Sequence, residues 1–465
     1  MNELDISSRF RDGRSMSLKE KTGIVATLAL PGMLAQITEI VMQYIDAAMV
    51  GSLGASASAS IGLVSSSTWL FGGLLGACAA GFSVQVAHAC GAGDYAQAKS
   101  IFRQSLGTTL CFALALSGIG YLAAGIIPAW LGGEPDVVHN ATLYFSAFAL
   151  FIPVRMLNGV GMNMLQCSGN MKVPSLAVSL TCLLDVVFNF FLIFPSRTLA
   201  NGLFVPGAGL GVLGAQLGTS LAFLVCMCIV MYYAVLRSKV IGLKGTRGSF
   251  LAALPVLKQA LKIGVPMAME NSALCAAQVV GTKIVAPLGT AAIAANSFAV
   301  TAESICYMPG FGISSAATTL IGQSLGAKRK DLAVSFAWLS VFSAMAVMSL
   351  AGFGMYFLCP YVFAFLTPVQ QVRDLGVACL RIELFAEPLF AASIAANGAL
   401  RGAKDTLVPG IMNLVSIWGV RLTISFFLTR RIGLRGAWIA MAAELCVRGI
   451  LFLIRLKRER WLQKA

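Results

Sequence analysis

The chain has 465 residues, 58% of them hydrophobic and 11% charged, with a formal net charge of +15. Its mean hydropathy of +0.82 excludes an ordinary soluble domain, in which about 25% of residues are charged. The positive balance would suit a nucleic-acid binder, but 24 of the 34 Lys and Arg fall at the termini or in even-numbered loops between apolar stretches. That is the positive-inside pattern of a membrane protein with both termini cytoplasmic, so no nucleic-acid partner is expected.

A helix needs about 20 apolar residues to cross the hydrocarbon layer. Twelve such stretches follow one another, centred near residues 37, 72, 118, 153, 184, 222, 275, 306, 346, 388, 418 and 443. The first 22 residues are polar and lack a cleavage-site pattern, so the first span is expected to act as its own insertion signal. Pro31 recurs as Pro266, Leu53-Gly54 as Leu288-Gly289, Gly91-Ala92 as Gly326-Ala327, Pro153 as Pro388 and Val173-Pro174 as Val408-Pro409, always 235 positions apart. Six spans return a chain to its starting side. The repeat is therefore expected to be parallel, with two lobes related by an axis along the membrane normal and solute and ion sites near mid-bilayer. The fold class that follows is an all-α integral membrane protein of twelve spans, with an N-terminal lobe at 1–240 and a C-terminal lobe at 241–465. A basic cytoplasmic linker near 237–262 would join them.

Taken in order, the first span carries Gln36, Glu39, Gln43 and Asp46 within an arc of about 80°. A face this polar cannot look at lipid; it is either a hydrogen-bonded helix contact or a cavity wall. Gln43 recurs as Gln278, whereas Asp46 falls opposite Gly281, so the acid belongs to the first lobe only. Pro31, Pro153, Pro174, Pro266, Pro309, Pro388 and Pro409 interrupt apolar stretches and are expected to bend their helices. In the fifth span Thr181, Asp185 and Asn189 again share an arc of about 80°. Two neutral oxygens flanking a carboxylate suit a Na⁺ ligand set or a protonatable Asp; the alternative is an Asp paired with Arg155. The second lobe holds Glu270, Glu303, Glu383 and Glu387 with Lys283, Arg381 and Arg421, and Glu444 lies one turn from Arg448, where a pair is expected. Glu383 and Glu387 are also one turn apart, an arrangement that demands a proton or a cation.

Eight acids lie within spans. Facing lipid they would cost on the order of 20 kcal/mol together. Most must therefore meet water or a partner. The 12 Cys are scattered singly and there are only two His, and Cys226 and Cys228 point about 160° apart on a helix, so neither a disulfide framework nor a metal site is expected. The chain lacks a phosphate-binding loop, HExxH and GxSxG, which points away from an enzyme and toward an ion gradient as the energy source.

Several segments resemble the multidrug and toxic compound extrusion (MATE) family: LALP at 28–31, IDAAMVGSLG at 45–54, HACGAGDYAQA at 88–98, SGNMKVP at 168–174, APLG at 286–289, LIGQSLGAKRKD at 320–331, LRGAKDTLVP at 400–409 and GLRGAWIA at 433–440. The resemblance covers nearly the whole chain and is nearest to the DNA-damage-inducible F-like branch. It implies an antiporter, with no cofactor, that exports small organic solutes, often cationic and amphipathic, in exchange for H⁺ or Na⁺ in the bacterial inner membrane; we expect a monomer. It also implies that Asp46 and Asp185 form the ion-coupling site, with Thr219 of the sixth span beside them. Thr181 replaces the Asn usual one turn before the second Asp, which favours H⁺. In another branch acids of the seventh and tenth spans take part, near Glu270 and Glu387. The substrate cavity is thus expected to involve Gln36, Glu39, Gln43, Glu270, Gln278 and Glu387. Two alternatives are a lipid-linked precursor flippase of the same superfamily and a membrane scaffold that transports nothing.

Overall fold

The computed structural model describes residues 8–12, 15–132, 134–198 and 204–463; Arg14 and Lys464 of the basic termini lie outside them. Twelve helical spans follow in order. The first three are α1 (Leu18–Gly51), α2 (Ala55–Ala92) and α3 (Tyr95–Ala123). After the short α4 (Ile126–Trp130), α5 (Pro135–Leu150) and α6 (Ile152–Cys167) make a fourth span bent by 49°. α7 (Lys172–Ile193) and α8 (Gly211–Tyr232) complete the first half. The second half has α9 (Leu254–Val285), α10 (Thr290–Gly326), α11 (Lys330–Leu366), α12 (Gln370–Glu383) with α13 (Glu387–Gly402), α14 (Leu407–Val415) with α15 (Thr423–Ile432), and α16 (Leu434–Lys457). Among the described residues, nine spans pass as membrane-crossing on length and apolarity, with the bent pair taken as one. The other three, α9, α10 and α12 with α13, are diluted by charged and hydroxyl residues, and all belong to the second half.

The prolines divide into two kinds. Pro31, Pro266, Pro309 and also Pro360 sit inside helices. Pro153 and Pro388 instead open the second pieces of broken spans, and Pro174 and Pro409 stand in the first turns of α7 and α14. A first-turn N–H has no helical partner to lose, so Pro is tolerated there without a kink. This corrects the expectation that every one of these prolines bends a helix.

Two further departures concern loops. Between α7 and α8 the strands β1 (Pro195–Thr198) and β2 (Phe204–Ala208) pair antiparallel, Arg197 opposite Val205. The signal was Asn201-Gly202, a hairpin dipeptide in the sequence, although it lies outside the described residues. The linker is shorter than 237–262, because α9 already begins at Leu254. It docks on α3: Ala252 N donates to Thr108 Oγ1 (2.8 Å), Ala253 N to Gln104 Oε1 (2.9 Å) and Arg103 Nε to the Ser249 carbonyl (3.2 Å).

Packing separates two compact units. One holds the chain up to Ile37, Ala87–Asp94 and everything from Lys262; the other holds Thr38–Val86 and Tyr95–Leu261. The first helix is thus shared between the units, whereas a division at residue 240 follows chain order.

Within each unit, small residues let backbones touch, the usual substitute for hydrophobic driving force in lipid. Gly398 and Gly402 of α13 lie against Ser314 and Thr318 of α10, so closely that a β-carbon would overlap the Ser314 and Thr318 carbonyls. The hydroxyls complete the contact, Ser314 Oγ donating to Ile394 O (2.9 Å) and Thr318 Oγ1 to Gly398 O (2.8 Å). At the end of α2, Gly91 meets the Gln323 backbone while its repeat counterpart Gly326 meets that of His88. His88 and Gln323 are themselves 235 apart. In the other unit Gly214 and Gly218 of α8 sit on Leu192 and Asn189 of α7.

Candidate functional site

The α7–α8 contact sets up the first polar cluster. Because Gly218 has no side chain, the amide of Asn189 fits against α8 and its Nδ2 is aimed at two carboxylates. It donates to Asp46 Oδ1 of α1 (2.8 Å) and to Asp185 Oδ2 one turn back on α7 (3.1 Å). Asp185 and Asn189 have no exposed surface, while Asp46 is half-buried. Asp185 Oδ1 and Asn189 Oδ1 are buried without a hydrogen-bond partner. The site therefore offers more acceptor oxygens than its one amide can satisfy, which is the chemistry of a place for a proton or a hard cation.

Thr181, one turn before Asp185, is buried and donates to its own helix at Ala177 O (2.9 Å). Thr219, next to Gly218, does the same to Ala215 O (3.0 Å). Both hydroxyls so keep lone pairs for an acceptor role. Arg155 does not pair with Asp185. Its guanidinium lies over Phe148 (5.1 Å to the centroid) and Phe223 (4.5 Å), facing Tyr144, Asp185, Glu39 and Asp46 at longer range. Tyr144, which faces Asp46, Asp185 and Arg155, was not legible beforehand: a lone Tyr in an apolar span carries no signal of its own.

The second unit has a separate cluster. Glu270 of α9 accepts from Asn413 of α14 and from Asn397 of α13 (3.4 Å). Those two Asn were missed in the sequence; the available signal was a single amide in each of two otherwise apolar stretches. Glu444 is fully buried, pairs with Arg448 (3.2 Å) and accepts from Ser416 Oγ (2.6 Å), which agrees with the expected pair. Ser416 heads a π-helical turn, Ser416–Leu422, that also holds Arg421. Glu383 and Glu387 are fully enclosed, all four of their carboxyl oxygens without a hydrogen-bond partner, and Glu303 is nearly so. Glu387, expected on a cavity wall, here lies beneath Gly352, where a β-carbon would come within 3.2 Å of its Cγ.

Of the remaining candidates, Gln36 and Glu39 are half-buried and the repeat counterparts Gln43 and Gln278 are exposed. The structure brings together Asp46, Asp185 and Asn189, with Thr181 one turn before Asp185 on the same helix, and keeps Glu270 with a different set of partners.

Twelve membrane helices that enclose carboxyl groups define a polytopic membrane protein of the transporter class. The MatE family model matches residues 31–191 and again 266–427, two copies that begin one repeat spacing apart. The chain belongs to the MatE family, which is a family of transporters and not of enzymes. A relative over most of its length is "Probable multidrug resistance protein NorM" of Thermotoga maritima, 25% identical over 440 residues, covering 94% of this chain and 92% of that protein. "Multidrug resistance protein MdtK" of Yersinia pestis is 24% identical, covering 94% of each. Among solved structures, a MATE in complex with MaL6 superposes with a TM-score of 0.87 at 19% identity, over 96% of this chain and 98% of that one.

Proposed function

We propose that the protein is a secondary active multidrug efflux antiporter that exports organic, cationic amphipathic compounds in exchange for H⁺ or Na⁺. The single observation that supports it most is the Asp46–Asn189–Asp185 cluster with its two orphaned oxygens, held in membrane-spanning helices. Keeping carboxylates in a bilayer costs about 2.5 to 3.5 kcal/mol each, a cost that a scaffold would have no reason to bear. Two carboxylates sharing one donor repel when both are ionised, and a proton or a cation bound between them relieves the repulsion.

Asp46 and Asp185 hold the coupling ion, with Asn189, Thr181 and Thr219 as neutral oxygen donors. Loading the pair changes which groups Asn189 satisfies. Because Asp46 sits on α1, that change is passed to the helix containing Pro31, which repacks and releases cargo outward. Gln36, Glu39, Gln43, Glu270 and Gln278 line the path of the solute, and the enclosed Glu387 joins it when the tenth span moves. The lobes at 1–240 and 241–465 are the moving bodies, both termini are cytoplasmic, the membrane is the bacterial inner membrane, and the working unit is a monomer.

The test is counterflow of charged dyes in proteoliposomes under an imposed pH or Na⁺ gradient. Dye movement driven by one of the two gradients and lost in Asp46→Asn supports the reading. Movement that ignores both gradients removes it.

A further inference from the structure

A second site, with neither the Asp46–Asp185 nor the Glu270 cluster in its lining, lies where α11 and α12 meet. Here a cleft of about 430 Å³ is lined by Pro360 and Ala364 of α11 and by Gln370, Arg373, Asp374, Val377, Ala378 and Arg381 of α12. Each arginine is anchored by a structural task. Pro360 has no N–H, which frees the carbonyl four residues earlier, and Arg381 Nε donates to that Tyr356 oxygen (3.3 Å) with its guanidinium 4.8 Å from the Tyr356 ring centroid. Arg373 caps the end of α11, Nε to Thr367 O (2.6 Å) and Nη2 to Ala364 O (3.4 Å).

These bonds use a minority of the donors that two guanidinium groups carry, and none of them neutralises charge. Among the described residues neither arginine has an ion-pair partner. Asp374, the one acid in the lining, accepts instead from Gln370 Nε2 (2.8 Å), which leaves the two arginines in excess. Arg373 and Arg381 are eight residues apart, hence about 80° apart around the helix and about 12 Å apart along its axis. Around them Phe353, Phe357, Tyr361, Phe365 and Phe385 are 66%, 58%, 75%, 89% and 76% exposed, an outward aromatic surface suited to acyl chains at interfacial depth. The first turn of α12 adds the positive end of its dipole. A cationic cleft set into an aromatic, lipid-facing surface has one complementary partner in its surroundings, a phosphate carrying two acyl chains.

We propose that the cleft between α11 and α12 binds the phosphate of an anionic phospholipid, its acyl chains lying along the aromatic face. Native mass spectrometry of the full-length protein, loaded with phosphatidylglycerol, phosphatidylcholine or inorganic phosphate, tests this. Phosphatidylglycerol is retained in preference to phosphatidylcholine, and the preference falls about ten-fold in Arg373→Gln. It falls similarly in Ala378→Phe, which fills the cleft while leaving both arginines and their helix caps in place. Equal retention of the two lipids by the unsubstituted protein, or an unchanged preference in both variants, overturns the proposal. So does displacement of bound phosphatidylglycerol by millimolar inorganic phosphate, which would make the occupant a free anion.

Discussion

Asn189 is where a single side chain decides most. One Nδ2 serves two carboxylates from different helices, so its removal unsettles both. Asp46→Asn and Asp185→Asn are each expected to abolish drug resistance in cells while leaving membrane-inserted protein at normal levels, because the amide is isosteric and cannot take up a proton. Asn189→Leu should lose transport too, and also thermal stability, since it leaves one end of each carboxylate unsatisfied at about 1 to 3 kcal/mol per group. Size-exclusion profiles alongside efflux assays separate the two outcomes. Asp185→Asn with full efflux would remove Asp185 from the coupling site.

Helix contacts carry the next level. The glycines of α8 and α13 matter through what they do not have, as the atoms opposite them are backbone carbonyls and the Asn189 amide, which cannot step aside cheaply. Gly218→Val is therefore expected to push α8 off α7, costing about 1 to 3 kcal/mol and disturbing the Asp46–Asp185 arrangement; Gly132→Val, with nothing near its β-carbon position but with positive φ, strains only a turn. Melting curves and efflux measured together show whether Gly218 acts through the site. Proline offers a comparable contrast. Pro31→Ala restores a backbone donor inside α1 and should slow transport, whereas Pro409→Ala, in a first turn, should leave the rate near that of the unsubstituted protein. Equal rates in the two variants would detach Pro31 from the cycle.

Over the whole molecule, charge is placed by depth and by partner. Asp405 is fully buried and is bonded by Arg455 through Nη2 (2.6 Å) and Nε (3.2 Å), joining the turn after α13 to the end of α16. Arg455→Ala takes the guanidinium away from that enclosed carboxylate, a loss of about 3 to 5 kcal/mol. Thermal unfolding in detergent should show it as a large fall in midpoint, with the coupling ion preference of the surviving protein unaltered. A change in ion preference would mean that this pair belongs to the transport machinery after all.

The spans, their number and the repeat were legible in the sequence because a bilayer imposes its thickness on every crossing helix, and apolar length can be counted without knowing neighbours. Helical spacing likewise put Thr181, Asp185 and Asn189 on one face, since that depends only on 3.6 residues per turn. What spacing cannot convey is which face meets which across the fold. That Asp46 shares a donor with Asp185, that Glu270 is held by Asn397 and Asn413, that Arg155 rests on two phenyl rings instead of pairing with an acid, and that Glu387 is enclosed were settled by how the helices pack against one another. Those contacts depend on rotation and tilt about each axis, quantities set by packing partners and by no local pattern of residues.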